Sequence, residues 1–214
     1  MDQDQPTFGL YFITDSTLTN QDIFSDTLQA ISAGVKIVQY REKDKSFSTK
    51  LKEAIKLREI TKKHKVTFII NDSVDLVLKT GADGIHLGDS DLPYKEARKL
   101  LGYEKIVGLS THSLLQAQST AKLSPSYISL GPIFKTNTKP NSRPVGLPTL
   151  KSVLGAVRVP VVVIGGIDES NLPSILDTGA KNISAITALV KTSNVKCACQ
   201  NFISQINQAH PKIP

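Results

Sequence analysis

The segment GPIFKTNTK, from Gly131 to Lys139, combines side chains that are suited to binding an anion. It follows the apolar run YISL, and its last five residues set two threonine hydroxyls between two lysine ammonium groups. A surface loop needs polar residues, but it does not need hydroxyls at alternate positions beside ammonium groups. The segment is therefore predicted to bind an anionic ligand.

A second group of donor side chains ends the apolar run VKIVQY. Gln39, Arg41 and Lys43 alternate along the chain, so on a strand they lie on one face and form a row of donors for phosphoryl oxygens. The alternative is a solvated strand end, which is the commoner explanation for two isolated charges.

Asp72 and Asp91 follow consecutive apolar runs and are candidate ligands for a cation. Asn71 and Asp72 can instead start a turn, and Asp91 can cap a helix that begins near Pro93. Two carboxylates at neighbouring strand ends can hold Mg²⁺, which prefers oxygen ligands and usually keeps substrate phosphates and water in its shell.

Further candidates follow the last two apolar runs. Gly165 and Gly166 permit close backbone approach, and Thr187 lies at the predicted end of the eighth strand, so together they indicate a phosphate-binding cup. A tight turn is the alternative for the two glycines. His86, inside an apolar run, is typical of a hydrogen-bonded core residue, whereas His112 at a strand end can line a pocket.

The elements that must position these residues alternate between apolar, β-branched runs and amphipathic stretches. Eight runs are predicted to be strands: 10–14, 35–40, 66–70, 84–87, 105–109, 127–131, 159–165 and 182–189. The stretch STKLKEAIKLREITKKH has the apolar spacing of one helical face, and Ser113 and Asp168 lie where helix N-caps are expected.

Eight strands that alternate with helices predict an α/β fold with a single (β/α)₈ TIM barrel. Residues 1–214 then form one domain, with residues 1–8 as an N-terminal tail. An open doubly wound sheet is the alternative, but no G-x-G-x-x-G follows the first strand and no P-loop motif is present. In a barrel, active residues gather where the strands end, which is where the polar clusters lie.

Composition restricts the class of protein. Hydrophobic residues make up 40% and charged residues 21%, which is ordinary for a globular protein. The net charge of +7 is compatible with nucleic acid, a membrane surface or small anionic substrates, but only 6% of residues are aromatic, which disfavours nucleic acid. The acidic N-terminus lacks signal-peptide character, and no apolar run spans a bilayer. With two neighbouring cysteines, Cys197 and Cys199, these features predict a reduced, cytoplasmic setting.

Five motifs in order resemble the thiamine phosphate synthase family. They are QYREK (39–43), NDSVDLVLKTGADGIHLGDSDLP (71–93), GLSTH (108–112), GPIFKTNTK (131–139) and IGGI (164–167). Any one of them alone is a weak signal, but all five in the family's order are specific. The resemblance extends from Tyr11 to about Leu189, which is nearly the whole chain.

The resemblance implies a (β/α)₈ barrel that joins 4-amino-2-methyl-5-pyrimidinylmethyl diphosphate to a thiazole phosphate, giving thiamine phosphate and pyrophosphate. The reaction it implies is dissociative: a pyrimidinylmethyl cation forms and the thiazole nitrogen captures it, so no protein nucleophile is needed. It implies Mg²⁺ as cofactor and small-molecule substrates as partners, with no nucleic acid and no membrane.

Carried over motif by motif, the resemblance also implies roles for individual residues. Those implied to bind the pyrimidine diphosphate are Gln39, Tyr40, Arg41, Glu42, Lys43, Asn71, Ser110 and Lys139. Those implied to bind the thiazole phosphate are Thr136, Asn137, Thr138, Gly166, Ile186 and Thr187. Asp72 and Asp91 are implied to bind Mg²⁺, and the implied catalytic residues are Arg41, Lys43, Ser110 and Lys139.

The chain departs from the family pattern before the eighth strand. The family's G-A-D-G is Gly179-Ala180-Lys181-Asn182 here, and Thr187 replaces a serine while keeping the hydroxyl. Three rival functions remain: the related thiazole tautomerase, a non-catalytic phosphate-ligand sensor, and another phosphate-handling barrel enzyme. The tautomerase typically has a histidine where this chain has Pro132.

Overall fold

The computed structural model describes residues 7–136 and 142–211, which form eight strands and nine helices. The strands are β1 (Tyr11–Ile13), β2 (Ile37–Tyr40), β3 (Thr67–Asn71), β4 (Gly84–Leu87), β5 (Ile106–Thr111), β6 (Tyr127–Leu130), β7 (Val161–Ile164) and β8 (Asn182–Ser184). The helices are α1 (Ile23–Ser32), α2 (Phe47–Lys63), α3 (Val74–Thr80), α4 (Tyr94–Leu101), α5 (Leu114–Ala121), α6 (Gly146–Ala156), α7 (Leu172–Leu176), α8 (Thr187–Val190) and α9 (Val195–Ala209). None of the helices in these residues is long and apolar enough to cross a membrane.

The eight strands form one parallel sheet in chain order. Each strand pairs with the next, and a parallel bridge between Leu10 and Ile183 joins the first strand to the last. The Ile183 amide also donates to the Gly9 carbonyl at 2.9 Å. The sheet is therefore closed into the predicted (β/α)₈ barrel, and the open doubly wound alternative is wrong.

The apolar side chains form an inner and an outer core. The inner core fills the barrel and consists of Tyr11, Ile13, Ile37, Ile69, Tyr127 and Val162, which are all nearly inaccessible to solvent. The outer core packs the opposite faces of the strands against the surrounding helices. Because strand side chains alternate between these two cores, both faces of each strand are apolar, which explains the continuous apolar runs.

Serine caps separate several loops at the carboxyl ends of the strands from the helices that follow. The side chains of Ser46, Ser73 and Ser113 accept hydrogen bonds from backbone amides in the first turns of α2, α3 and α5. The Ser113 cap is as predicted. The Asp168 cap is wrong: α7 begins at Leu172, and the Asp168 carboxylate instead accepts from the Ser170 and Asn171 amides within the preceding loop.

The eighth strand is shorter than predicted. It ends at Ser184, and Thr187 begins the short helix α8 instead of ending the strand. The apolar run continues past the strand because Leu189 and Val190 are buried in the outer core as helical residues. An apolar run of this kind cannot be divided between strand and helix by its hydrophobicity alone.

Candidate active site

A cavity of about 350 Å³ opens at the carboxyl ends of the barrel strands. Its lining comes from all the strands of the barrel and from the loops that follow them. The residues assigned to the site from the sequence that line it are Gln39, Arg41, Lys43, Asn71, Asp72, Asp91, Ser110, Thr136, Gly166, Ile186 and Thr187. Asn137, Thr138 and Lys139 lie outside the described residues.

Gln39, Arg41 and Lys43 reach the cavity from the end of β2 and the loop after it. The Arg41 guanidinium lies 3.9 Å from the Asp15 carboxylate, and the Arg41 amide donates to the Thr14 hydroxyl at 3.1 Å. Both partners follow β1, so the neighbouring strand end orients Arg41. The arrangement places two cationic side chains in the cavity lining.

Tyr40 and Glu42 alternate with these residues and do not line the main cavity. The Tyr40 hydroxyl donates to Glu53 of α2 at 2.8 Å. Glu42 accepts from the Ser16 amide at 3.0 Å and from the Ser16 hydroxyl at 2.6 Å, which ties the first two strand-end loops together. Their assignment as substrate-binding residues stays a prediction, and these contacts support a role in holding the loops instead.

Asp72 and Asp91 form an acidic pair at the mouth of the cavity. The pKa of Asp72 is raised to about 6, first because neighbouring atoms remove water from the carboxylate and second because Asp91 lies close to it, while Lys43 and Arg41 oppose the rise. Asp72 holds a left-handed backbone conformation with φ of 67°, which is uncommon outside glycine. Asp91 is anchored by the Gly88 amide, which donates to its carboxylate at 2.6 Å.

This pair fits a divalent cation that is shared with a ligand. In residues 7–136 and 142–211 no cluster of three or more acidic, histidine or cysteine side chains is arranged to hold a metal. Mg²⁺, however, is commonly bound through one or two carboxylates with substrate phosphates completing its shell. Desolvation contributes most to the raised Asp72 pKa and the nearby Asp91 adds to it; such a cation would relieve the repulsion between the two carboxylates.

Gly165, Gly166, Thr136 and Thr187 line the cavity together with Ile186. The segment after β6 pairs with the end of β7, since the amides of Ile133 and Phe134 donate to the carbonyls of Ile164 and Gly165, each at 3.0 Å. Both glycines have positive φ, at 101° and 68°, and a side chain at either position would overlap the segment after β6. The two loops therefore fit together closely.

The floor of the cavity carries polar groups that the sequence reasoning missed. Tyr11 and Tyr127 line the cavity and join Gln39 to His86 by hydrogen bonds. Ser184 is fully buried, and among the described residues its hydroxyl has no hydrogen-bond partner. A buried hydroxyl without a partner costs about 1–3 kcal/mol, so its place in the lining indicates a ligand that satisfies it.

The two histidines near the site differ in environment. His86 is buried within β4, as predicted for a hydrogen-bonded core residue. His112 lines the cavity, and its Nδ1 faces the Gly131 carbonyl, which can only accept, so Nδ1 carries a proton. Its other nitrogen lies 3.7 Å from Asp89.

The closed barrel and the charged groups at its strand ends define a class: the molecule is a (β/α)₈ barrel with a cavity lined by charged and polar side chains at its carboxyl-terminal face. The family model described as thiamine monophosphate synthase matches residues 10–189. The chain belongs to this family.

Individual relatives agree with the family match. A thiamine-phosphate synthase of Persephonella marina is 42% identical over 189 residues, covering 88% of this chain and 90% of that protein. One of Pelotomaculum thermopropionicum is 46% identical over 169 residues, covering 78% of each. A thiamine phosphate pyrophosphorylase structure from Pyrococcus furiosus superposes with a TM-score of 0.88 at 29% identity, covering 95% of this chain and 97% of that one.

Proposed function

We propose that the protein is a thiamine-phosphate synthase, which joins the pyrimidinylmethyl group of a diphosphate substrate to a thiazole phosphate and releases pyrophosphate. The family membership supports the reaction. The observation that carries the proposal is one cavity, above an aromatic floor, whose lining contains both the cationic residues Arg41 and Lys43 and the Gly165–Gly166 backbone.

The cationic part of the lining suits the diphosphate. Arg41 and Lys43 lie there beside the Asp72–Asp91 pair, so cationic groups and a cation-binding pair face the same space. When the C–O bond to pyrophosphate breaks, negative charge grows on the leaving group, and donors fixed in advance stabilise it. We propose that Arg41, Lys43, Ser110 and Lys139 perform this task.

The glycine part of the lining suits a phosphate monoester. Glycine backbone at Gly165 and Gly166 permits close approach to an oxyanion, and the Thr136 and Thr187 residues add hydroxyls. We propose that these groups, with Asn137, Thr138 and Ile186, hold the thiazole phosphate. Its nitrogen then faces the pyrimidinylmethyl carbon across the cavity.

The aromatic and aliphatic floor completes the arrangement. Tyr11, Ile13, Tyr127 and Val162 form the buried bottom of the cavity, which keeps water from one face of a bound pyrimidine. Exclusion of water matters because a pyrimidinylmethyl cation is trapped by any nucleophile within reach. This chemistry needs no nucleophilic side chain.

Mg²⁺ is the proposed cofactor, held by Asp72 and Asp91 together with oxygens of the diphosphate. When bound, it supplies positive charge to the leaving group. The fit of the acidic pair supports the assignment. The cytoplasmic setting stays a prediction from the sequence.

The test is to mix the purified protein with both substrates and Mg²⁺ and to measure thiamine phosphate by chromatography. Product is expected only when both substrates and the metal are present. Turnover of a thiazole tautomer without the diphosphate substrate, and no thiamine phosphate, would instead establish the related tautomerase activity.

A further inference from the structure

A chain of hydrogen bonds crosses the cavity floor from Gln39 on β2 to Ser110 on β5. Gln39 Nε2 lies 2.9 Å from the Tyr11 oxygen, which lies 2.8 Å from the Tyr127 oxygen. The Tyr127 oxygen lies 3.0 Å from His86 Nδ1, and His86 Nε2 lies 3.0 Å from Ser110 Oγ. Gln39 and both tyrosines are 3% exposed or less, so solvent offers these polar groups few partners outside the chain.

The hydrogen bonds of this chain can all run in one direction, which starts from the Gln39 side-chain amide. An amide nitrogen only donates, so the Tyr11 oxygen accepts from Gln39. Either hydroxyl can donate in the bond between Tyr11 and Tyr127; in the direction that continues from Gln39, Tyr11 donates to Tyr127. In the same direction, Tyr127 donates its proton to His86 Nδ1. A neutral imidazole whose Nδ1 accepts carries its proton on Nε2.

We propose that this chain fixes the Nε2–H tautomer of His86 and thereby makes Ser110 a hydrogen-bond donor toward the substrate. With Nε2–H donating to Ser110 Oγ, the serine keeps its own proton for an acceptor atom in the cavity, which Ser110 lines. The identity of that acceptor, the pyrimidine diphosphate, rests on the proposed function. Tyr11, Tyr127 and His86 are positioning residues because they act through Ser110.

Packing around Tyr127 holds the chain in place. The His86 and Tyr127 rings are stacked, with centroids 5.5 Å apart and planes 18° apart, and Phe8 packs edge-on at 5.7 Å. The Tyr127 ring lies directly over Gly108 of β5, where any side chain would overlap it. Gly108, two residues before Ser110, therefore leaves the space in which Tyr127 reaches His86.

The tautomer can be observed directly by NMR. The full chain, labelled with ¹⁵N-histidine and free of ligands, contains four histidines, and the His86→Gln variant identifies the His86 signals by their loss. We expect one tautomer with the proton on Nε2 in the wild type, and a mixture of tautomers in Tyr127→Phe and Tyr11→Phe. A proton on Nδ1, or on both nitrogens, in the wild type would overturn the proposal.

This measurement separates the proposal from the proposed function because it requires no turnover. A protein with the Nε2–H tautomer that makes no thiamine phosphate would refute the enzymatic assignment and leave the hydrogen-bond direction intact. An active enzyme with the Nδ1–H tautomer would support the enzymatic assignment and refute the proposed hydrogen-bond direction.

Kinetics then tests whether Tyr127 acts through Ser110. Tyr127→Phe and Ser110→Ala are each expected to lower kcat by about tenfold, as loss of one hydrogen bond does, with little change in KM. The double variant should be no slower than Ser110→Ala alone. Multiplied losses would show that Tyr127 supports the fold independently of Ser110 and would overturn the positioning role. Tyr94→Phe, which loses a hydrogen bond to the Ser124 carbonyl on the outer surface, is the matched control.

Discussion

At the scale of single residues, Asp72 is a carboxylate whose ionisation is opposed by its surroundings. Its carboxylate lies beside Asp91, and its pKa of about 6 means that the pair is incompletely ionised in mildly acidic solution without metal. Two like charges held together in the folded chain oppose folding once both ionise. A cation held by the pair would offset the repulsion between the two carboxylates.

The sign of the resulting pH dependence follows from the raised pKa. A folded-state pKa above the unfolded value favours folding at low pH, and this advantage is lost as the pH rises through about 6. Because Mg²⁺ requires the ionised pair, excess Mg²⁺ should raise Tm at about pH 8 and have almost no effect at about pH 5. Calorimetric scans with and without Mg²⁺ or EDTA measure this.

The matched variants are Asp72→Asn and Asp75→Asn. The two positions are three residues apart, but only Asp72 belongs to the acidic pair. Asp75 lies exposed in the first turn of α3. Asp72→Asn should abolish the Mg²⁺ effect on Tm at about pH 8 and Asp75→Asn should retain it. An equal Mg²⁺ effect in the two variants would remove Asp72 from the metal site.

Lys139 and Lys135 provide a second comparison at this scale. The proposed partner of Lys139 is pyrophosphate charge that grows in the transition state, so Lys139→Ala should lower kcat by roughly a hundredfold, about 3 kcal/mol, with little effect on substrate affinity. Lys135, which is exposed and matches no functional position of the motif, should change little as Lys135→Ala. Steady-state kinetics of both variants decides between a local and a diffuse electrostatic effect. Comparable losses would indicate the diffuse effect, because the two lysines are only four positions apart in the chain.

The sequence predicted the residues around the rim of the cavity better than those on its floor. Arg41, Lys43, Asp72 and Asp91 could be selected because charged side chains next to apolar runs are conspicuous. Tyr11 and Tyr127 looked like ordinary strand residues, since an aromatic ring in an apolar run is usually core. The hydrogen bond between their hydroxyls depends on the closed barrel, which brings β1 and β6 together, and so it could not be predicted from the sequence.

At the scale of elements, the loops after β6 and β7 are closely packed against each other. A side chain at position 166 would place its Cβ 2.6 Å from the Lys135 carbonyl oxygen and 2.8 Å from the Phe134 Cβ. The sequence indicated that Gly166 leaves room for a phosphate. The structure adds that Gly166 leaves room for the neighbouring loop.

Gly166→Val should therefore displace the segment after β6 as well as fill the phosphate cup. Positive φ is strained for a β-branched residue, and the displaced segment leads directly into residues 137–139, so KM should rise for both substrates and Tm should fall. Initial-rate kinetics with each substrate varied in turn measures the two effects. A rise confined to the thiazole phosphate would mean that the loops are not coupled.

Gly155→Ala is the control for this glycine substitution. Gly155 lies in helix α6, where no neighbouring side chain comes within 4 Å of the position that an alanine methyl group would occupy, and alanine favours a helix over glycine by about 1 kcal/mol. Its Tm should stay the same or rise, with unchanged kinetics. Losses similar to those of Gly166→Val would point to a general sensitivity to glycine replacement.

Element boundaries were harder to predict than element types. The eight strands were each found near their predicted positions, because β-branched apolar runs in a barrel are buried on both faces. The run beginning at Asn182 was wrongly extended to Leu189, since its later residues are buried by a helix. The Asp168 cap was wrong because an Asp can satisfy loop amides as readily as those of a helix.

At the scale of the whole molecule, a position that departs from the family pattern adds hydrogen bonds where the barrel closes. Asn182, which stands where the family often has glycine, is buried in β8. Its Oδ1 accepts from the Phe8 amide at 2.5 Å and the Gly9 amide at 3.3 Å, and its Nδ2 faces the Val161 carbonyl at 3.4 Å. One side chain therefore links the last strand to the segment before the first strand and to β7.

Asn182→Ala should destabilise the fold as a whole, because it leaves two part-buried amides beside β1 without their acceptor. The expected loss is about 1–3 kcal/mol in the free energy of unfolding, seen as a lower urea midpoint with an unchanged slope. Asn201→Ala, which removes an exposed hydrogen bond to Glu169, should change the free energy by less than about 0.5 kcal/mol. Equal midpoints for the two variants would show that the seam between β1 and β8 is held by the backbone bridge alone. A lower slope for Asn182→Ala would instead mean that the first strand detaches before the rest of the barrel unfolds.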